Sequence, residues 1–145
     1  MTTVKKEKTV QSVTKSPIIA VGRRKTAVAR IFMYEGKGEI LVNQVSIDEY
    51  FPSDGEKLIW MQPFHLVGIS HPTSKFNATV KVKGSGKSGQ LDAVVHAMSR
   101  ALATLSEDNR VLLRRNGFLT RDPRMVERKK YFFLKARKRP QYSKR

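Results

Sequence analysis

The uneven charge along this 145-residue chain limits what it can fold into more than any other feature does. Arg110 to Arg145 carries fourteen basic and two acidic residues, +12 of a formal net charge of +17, whereas Pro17 to Asn109 carries eleven and nine. A segment of one sign repels itself. Against a backbone ordering cost of roughly 1 to 2 kcal/mol per residue, Asp122 to Arg145 offers only a handful of large apolar groups: Met125, Val126, Tyr131, Phe132, Phe133, Leu134 and Tyr142. The tail is therefore expected to be ordered by a polyanion, whose condensed counterions its Lys and Arg would release. The middle is composed like an ordinary soluble domain and is long enough to bury a core. The expected organisation is a flexible N-terminal arm over 1–16, a globular domain over 17–121 and a basic extended tail over 122–145.

Cysteine is absent, so disulfide frameworks, Cys-ligated zinc and thiol catalysis are excluded, and a reducing cytosol is the default compartment. No apolar run approaches the roughly 18 to 20 residues that span a bilayer, and Met1 to Ser16 lacks the apolar region of a secretory signal. No membrane is expected, and the partner that the charge calls for is nucleic acid.

Periodicity gives the elements. In TAVARIFMY, Ala27, Ala29, Ile31 and Met33 fall on one face of a strand and Val28, Arg30, Phe32 and Tyr34 on the other. Glycines at 36 and 38 follow, then Ile40 and Val42 at period two, which predicts a β-hairpin. Ser46 and Glu49 match a capping box that opens a short helix near Ile47 and ending before Pro52. Another helical turn is expected over Lys57 to Met61, and a strand over Phe64 to Val67. Phe76, Ala78, Val80 and Val82 alternate with Lys75, Asn77, Thr79, Lys81 and Lys83, the pattern of a half-buried strand whose other face is wet and basic. Leu91, Val94, Val95, Met98, Leu102 and Leu105 mark the buried stripe of a helix of about four turns. Ser106 caps a last helix through Arg115, closed by Asn116 and Gly117. Strands ahead of a helical C-terminal half predict an α+β fold, a small β-sheet packed by helices.

Few residues offer chemistry. Gly86-Lys87-Ser88 is the end of a phosphate-cradling P-loop, but the glycine that motif needs five residues earlier is Lys81, so nucleotide hydrolysis is not expected. The same glycines allow close backbone approach, and a helix N-terminus at Gln90 would present free amides to an RNA phosphate, with Lys87 beside it; a plain connector is the other reading. His65, His71 and His96 lack metal-ligand spacing, and no carboxylate pair has an apolar setting beside a nucleophile. Neither metal, cofactor nor catalytic residue is expected. Tyr131, Phe132, Phe133 and Tyr142 can insert among RNA bases and sugars, and the alternative is that the cluster Tyr131, Phe132, Phe133 and Leu134 packs back on the domain. The residues so far fit an RNA- or anion-binding protein without choosing between a fixed component of a larger assembly and a free module.

Four stretches narrow the choice: VGRRKTAVARI at 21–31, the KGSGKSGQ loop with its helix, GFLTRDPRMVERKK at 117–130 and PQYSKR at 140–145. Together they resemble the small-subunit ribosomal protein S-nine family, in its bacterial or organellar form, from about Val21 to Arg145. The resemblance implies a β-α-β fold like the second domain of ribosomal protein S-five. It also implies a cytoplasmic, or else organellar, ribosomal component that binds small-subunit rRNA in the head, its 3′ major domain, beside neighbouring head proteins. Arg23, Arg24 and Lys25 at the first motif match rRNA-contacting positions, as do Arg121, Arg124, Arg128, Lys129 and Lys130 at the third. Lys87 and the tail cations Arg137, Lys138 and Arg139 are further rRNA candidates. Lys144 and Arg145 map to a tail end that approaches P-site tRNA. Phe132 and Phe133 depart from the family, whose members commonly have Gly and a smaller or basic residue there.

Overall fold

The computed structural model describes residues 16–144; nearly all of the N-terminal arm, and Arg145, lie outside the described residues. Five strands and five helices follow one another as β1 (Ile18–Arg24), β2 (Ala27–Glu35), β3 (Ile40–Val42), β4 (Val45–Ser46), α1 (Ile47–Tyr50), α2 (Asp54–Leu66), α3 (Pro72–Lys75), β5 (Phe76–Lys83), α4 (Lys87–Leu105) and α5 (Glu107–Arg115). The strands form one sheet in the order β1-β2-β5-β3-β4, antiparallel except for the parallel pair of β3 and β5. That parallel pair with its helical connection makes this an α+β fold with the expected β-α-β unit.

The alternation in β2 and β5 sets the layers. Ala27, Ala29, Ile31 and Met33 face Val82, Val80 and Ala78 of β5 on the inner side, and all are buried. Helix α4 covers that side with Leu91, Val94, Val95, Met98 and Leu102, while Trp60 and Phe64 from α2 and Leu113 from α5 close the core. Small residues let α4 lie close. A Cβ on Gly22 would stand 2.0 Å from the Ala93 carbonyl oxygen and 2.4 Å from the Ala97 nitrogen, so β1 and α4 touch backbone to backbone there.

Four expectations give way. The hairpin is not β2 with β3: β2 pairs with β1 through the Lys25-Thr26 turn and with β5, and β3 reaches the sheet only beside β5. The glycines at 36 and 38 turn the chain away from β2 rather than back along it, because β5 takes the place a hairpin partner would have filled. Phe64 to Val67 is not a strand but the last turns of α2 and its C-cap, with Pro63 inside the helix. Burial of Trp60, Pro63 and Phe64 against the core outweighs the one hydrogen bond a helical proline forfeits. Helix α4 begins at Lys87, three residues before Gln90, whose amide donates to the Gly86 carbonyl at 3.0 Å. The free amides therefore belong to Lys87, Ser88 and Gly89. Ser46 does precede α1, but without a side-chain cap; the carboxylate that folds back on its helix is Glu56, which accepts from the Ser53 amide at 3.4 Å.

Candidate nucleic-acid interface

The root of the tail is built on the free edge of β1. An edge strand presents unpaired backbone groups, and α4 satisfies two of them here. Arg100 donates to the Val21 carbonyl at 2.6 Å, and His96 Nδ1 accepts from the Arg23 amide at 3.3 Å. Since Nδ1 accepts, the ring proton sits on Nε2, which faces the Leu119 carbonyl at 3.3 Å. Partial burial, helped by the charges of Arg100 and Arg121, lowers the His96 pKa and favours this neutral ring.

The chain reaches Leu119 through a turn at the end of α5. Gly117, at φ +80, donates to the Arg114 carbonyl at 3.1 Å, and Phe118 donates to Leu113 at 3.0 Å, so the backbone reverses onto α4. Beyond Thr120 it continues as an extension without helix or strand, exposed at nearly every residue.

Arg24 ties that extension to the domain. Its Nε lies 3.2 Å from Asp92 of α4, and one Nη lies 3.0 Å from Asp122 and 3.2 Å from the Arg124 carbonyl. Asp122 also accepts from the Arg124 backbone amide at 2.9 Å and from its guanidinium at 2.6 Å. The hydrogen bonds from Arg124, with the Arg24 charge behind them, hold the Asp122 carboxyl well below the usual carboxylate range. Of the Arg23-Arg24-Lys25 triplet, then, Arg24 works inward. Arg23 is exposed at an outward-alternating position of β1 and also lines the cleft beside Asp92, His96 and Arg121, and Lys25 occupies the β1–β2 turn at φ +51. The Lys25 side chain reaches the glycine loop, its Cδ 3.8 Å from where a Cβ on Gly89 would stand, and a Cβ on Gly84 would come within 2.3 Å of the Thr26 carbonyl; Lys87 opens α4 at the end of that loop.

Along the tail, Arg128, Lys129 and Lys130 are exposed and form no ion pair among the described residues. Arg137 pairs with Glu127, which lowers the pKa of that carboxyl. Arg139 lies over the Phe133 ring, 5.6 Å from its centroid, and Leu134 donates to the Lys138 carbonyl at 2.8 Å. Tyr131, Phe132 and Leu134 stay exposed rather than entering the core. Arg121 and Lys144 are exposed as well. Sequence reasoning missed Asp92, Asp122, His96 and Arg100 as the groups that fix the root. No spacing along the chain could have signalled contacts that join β1 to residues some 70 to 100 positions away. Among the described residues no His, Asp and Glu group could hold a metal, and no helix is long and apolar enough to cross a membrane.

A mixed sheet backed by helices, with a polycationic extension tied to its edge, is the build of a protein that works inside a ribonucleoprotein. Residues 22–145 match the family described as Ribosomal protein S9/S16, and the chain belongs to that family. Proteins named small ribosomal subunit protein uS9 are similar to it. The Rickettsia bellii protein is 45% identical over 126 residues, 87% of this chain and 75% of the relative. That of Azobacteroides pseudotrichonymphae is 46% identical over 87% of this chain and 96% of its own length. The Chlorobaculum tepidum protein is 47% identical over 131 residues, 90% of this chain and 99% of the relative. The chain is accordingly a structural, non-enzymatic constituent of the small ribosomal subunit, with ribosomal RNA and other ribosomal proteins as partners.

Proposed function

We propose that the tail and its root bind the 3′ major domain of small-subunit rRNA, in the head, and that the tail end contacts P-site tRNA in the cytoplasmic ribosome. In this reading 17–121 is the autonomous domain and 122–145 the RNA-ordered tail. Lys25, Lys87, Arg121, Arg128, Lys129, Lys130 and Lys138 contribute charge to phosphates. Arg24 and Arg124 aim the tail, while Arg137 and Arg139 shape it through Glu127 and Phe133. Lys144 and Arg145 reach the tRNA. The observation that carries the reading is the exposed run beyond Asp122, whose Arg128, Lys129 and Lys130 form no ion pair among the described residues. Such cations destabilise a free chain and are compensated only by an external polyanion.

The test uses small subunits reconstituted with the full chain or with one lacking Lys144 and Arg145. Sedimentation should show normal assembly, and P-site tRNA affinity should fall by on the order of 1 kcal/mol, the scale of charge-assisted contacts in a wet site. Equal affinities would remove the tRNA role, and failed assembly would move the tail end to rRNA folding.

A further inference from the structure

The helices packed on the sheet cover one of its faces, and the strand register decides what the other carries. Val28 of β2 stands between Arg23 of β1 and Lys83 of β5, and Arg30 stands between Val21 and Lys81. Farther along, Phe32 stands between Ile19 and Thr79. The outward positions thus gather Arg23, Arg30, Lys81 and Lys83 at the end of the sheet nearest the glycine loop, and no outward position holds a carboxylate. Val28, Arg30, Lys81, Val82 and Lys83 line a groove there. All four cations are exposed, and none forms an ion pair among the described residues.

This arrangement works against the fold. Arg30 and Lys81 are direct cross-strand partners, with Cα atoms about 5 Å apart, and like charges so placed destabilise a sheet. A domain of nearly balanced composition had other places for them. Their positions make sense if something of opposite charge lies across β2 and β5. We propose that the open face of the sheet is a second RNA-binding surface, which takes the phosphate backbone of an RNA helix and is separate from the tail. The occupant is a helix backbone rather than a stacked single strand because Phe32 and Tyr34 are only half-exposed, and Tyr34 lies at the far end from the cations. A platform for bases would need open rings beside the charges. A rigid, flat set of cations matches phosphates without reading sequence.

The inference rests on the reading that the chain works bound to RNA, and the experiment separates the two. Three chains are compared: the full natural sequence, the full-length triple variant Arg30→Gln, Lys81→Gln, Lys83→Gln, and a chain truncated before Tyr131. Binding to naked small-subunit rRNA is followed against salt, with hydroxyl-radical footprints of each complex. The triple variant should lose about 2 from the slope of log K against log salt, at roughly 0.7 to 0.9 per phosphate contact, and should lose a footprint that the truncated chain keeps. Its thermal midpoint should hold or rise, because the Arg30–Lys81 repulsion is gone; a fall would place these cations in the service of the fold and overturn the proposal. An unchanged slope and footprint in the triple variant, with both altered by truncation, would overturn it while sparing the tail. No change in either would overturn both readings. A photo-crosslinker at position 81 in reconstituted subunits should capture RNA, and capture of a protein instead would assign the face to a protein neighbour.

Discussion

Arg24 on the first strand and Asp122 at the root of the tail lie 3.0 Å apart, and the same guanidinium holds Asp92 at 3.2 Å, so one side chain joins strand, helix and tail. Lys could face one of these carboxylates but not spread two edges between them. Arg24→Lys should therefore leave the domain folded while loosening the root. Amide exchange at Arg124, whose N–H donates to Asp122 at 2.9 Å, should rise several-fold, and limited proteolysis should cut near the root sooner. Unchanged protection would mean that the His96–Leu119 contact and the turn at Gly117 fix the root without Arg24.

Gly22 sets the distance between β1 and α4. Its missing Cβ would meet the Ala93 carbonyl and the Ala97 amide nitrogen, both backbone atoms that no rotamer change can move. Gly22→Ala should destabilise the domain by about 1 to 3 kcal/mol, the range for overpacking, as read from chemical denaturation. Ala97→Gly should not rescue it, since the collision is with the helix backbone rather than a methyl group. Rescue would show that α4 can slide.

How much of this was legible depended on whether a contact left a period behind. The alternation of Ala27 to Met33 and of Phe76 to Val82 gave both central strands and their buried faces, and the stripe from Leu91 to Leu105 gave α4, because burial on one side imposes a period. Pairing was not legible in the same way. Ile40 and Val42 looked like the partner of β2 because a glycine turn lay between them, yet the neighbours of β2 are β1 and β5, chosen by the whole sheet. The expected helical turn ends at Met61 and the expected strand starts at Phe64, yet α2 runs through Pro63 because burial of Trp60 and Phe64 outweighs the local penalty of a helical proline. The tail's charge and exposure were evident from composition, but Arg24 looked like one more phosphate contact because its carboxylates lie far off in sequence. Phe132 sits at φ +60, in the left-handed region that glycine favours.

His96 should make stability depend on pH. Its pKa is lowered in the fold, chiefly by burial, so below roughly 6.5 the unfolded chain binds the proton more readily than the folded one. Stability is then fully present above that pH and declines as pH falls toward the folded-state value. Protonation also removes the acceptor that the Arg23 amide uses at Nδ1. The thermal midpoint of the natural chain should drop between pH 7.5 and 5.5 by more than that of His96→Gln, which carries an acceptor and a donor but does not titrate. Parallel midpoints would show that this ring does not control the response.

The tail should matter to RNA and hardly at all to the fold. Tyr131, Phe132 and Leu134 are exposed, and the ion pair that Arg137 makes is with Glu127, itself in the tail. Removing Tyr131 to Arg145 should leave the thermal midpoint of the isolated protein within a few degrees. The deletion takes away Lys135, Arg137, Lys138, Arg139, Lys144 and Arg145. If three to six of these engage phosphate, the slope of log K against log salt for rRNA should fall by roughly 2 to 5, at about 0.7 to 0.9 per contact. The two measurements fail separately. A collapsed midpoint would mean that the tail's aromatic cluster supports the domain after all, whereas an unchanged slope would leave binding to the sheet face and the glycine loop.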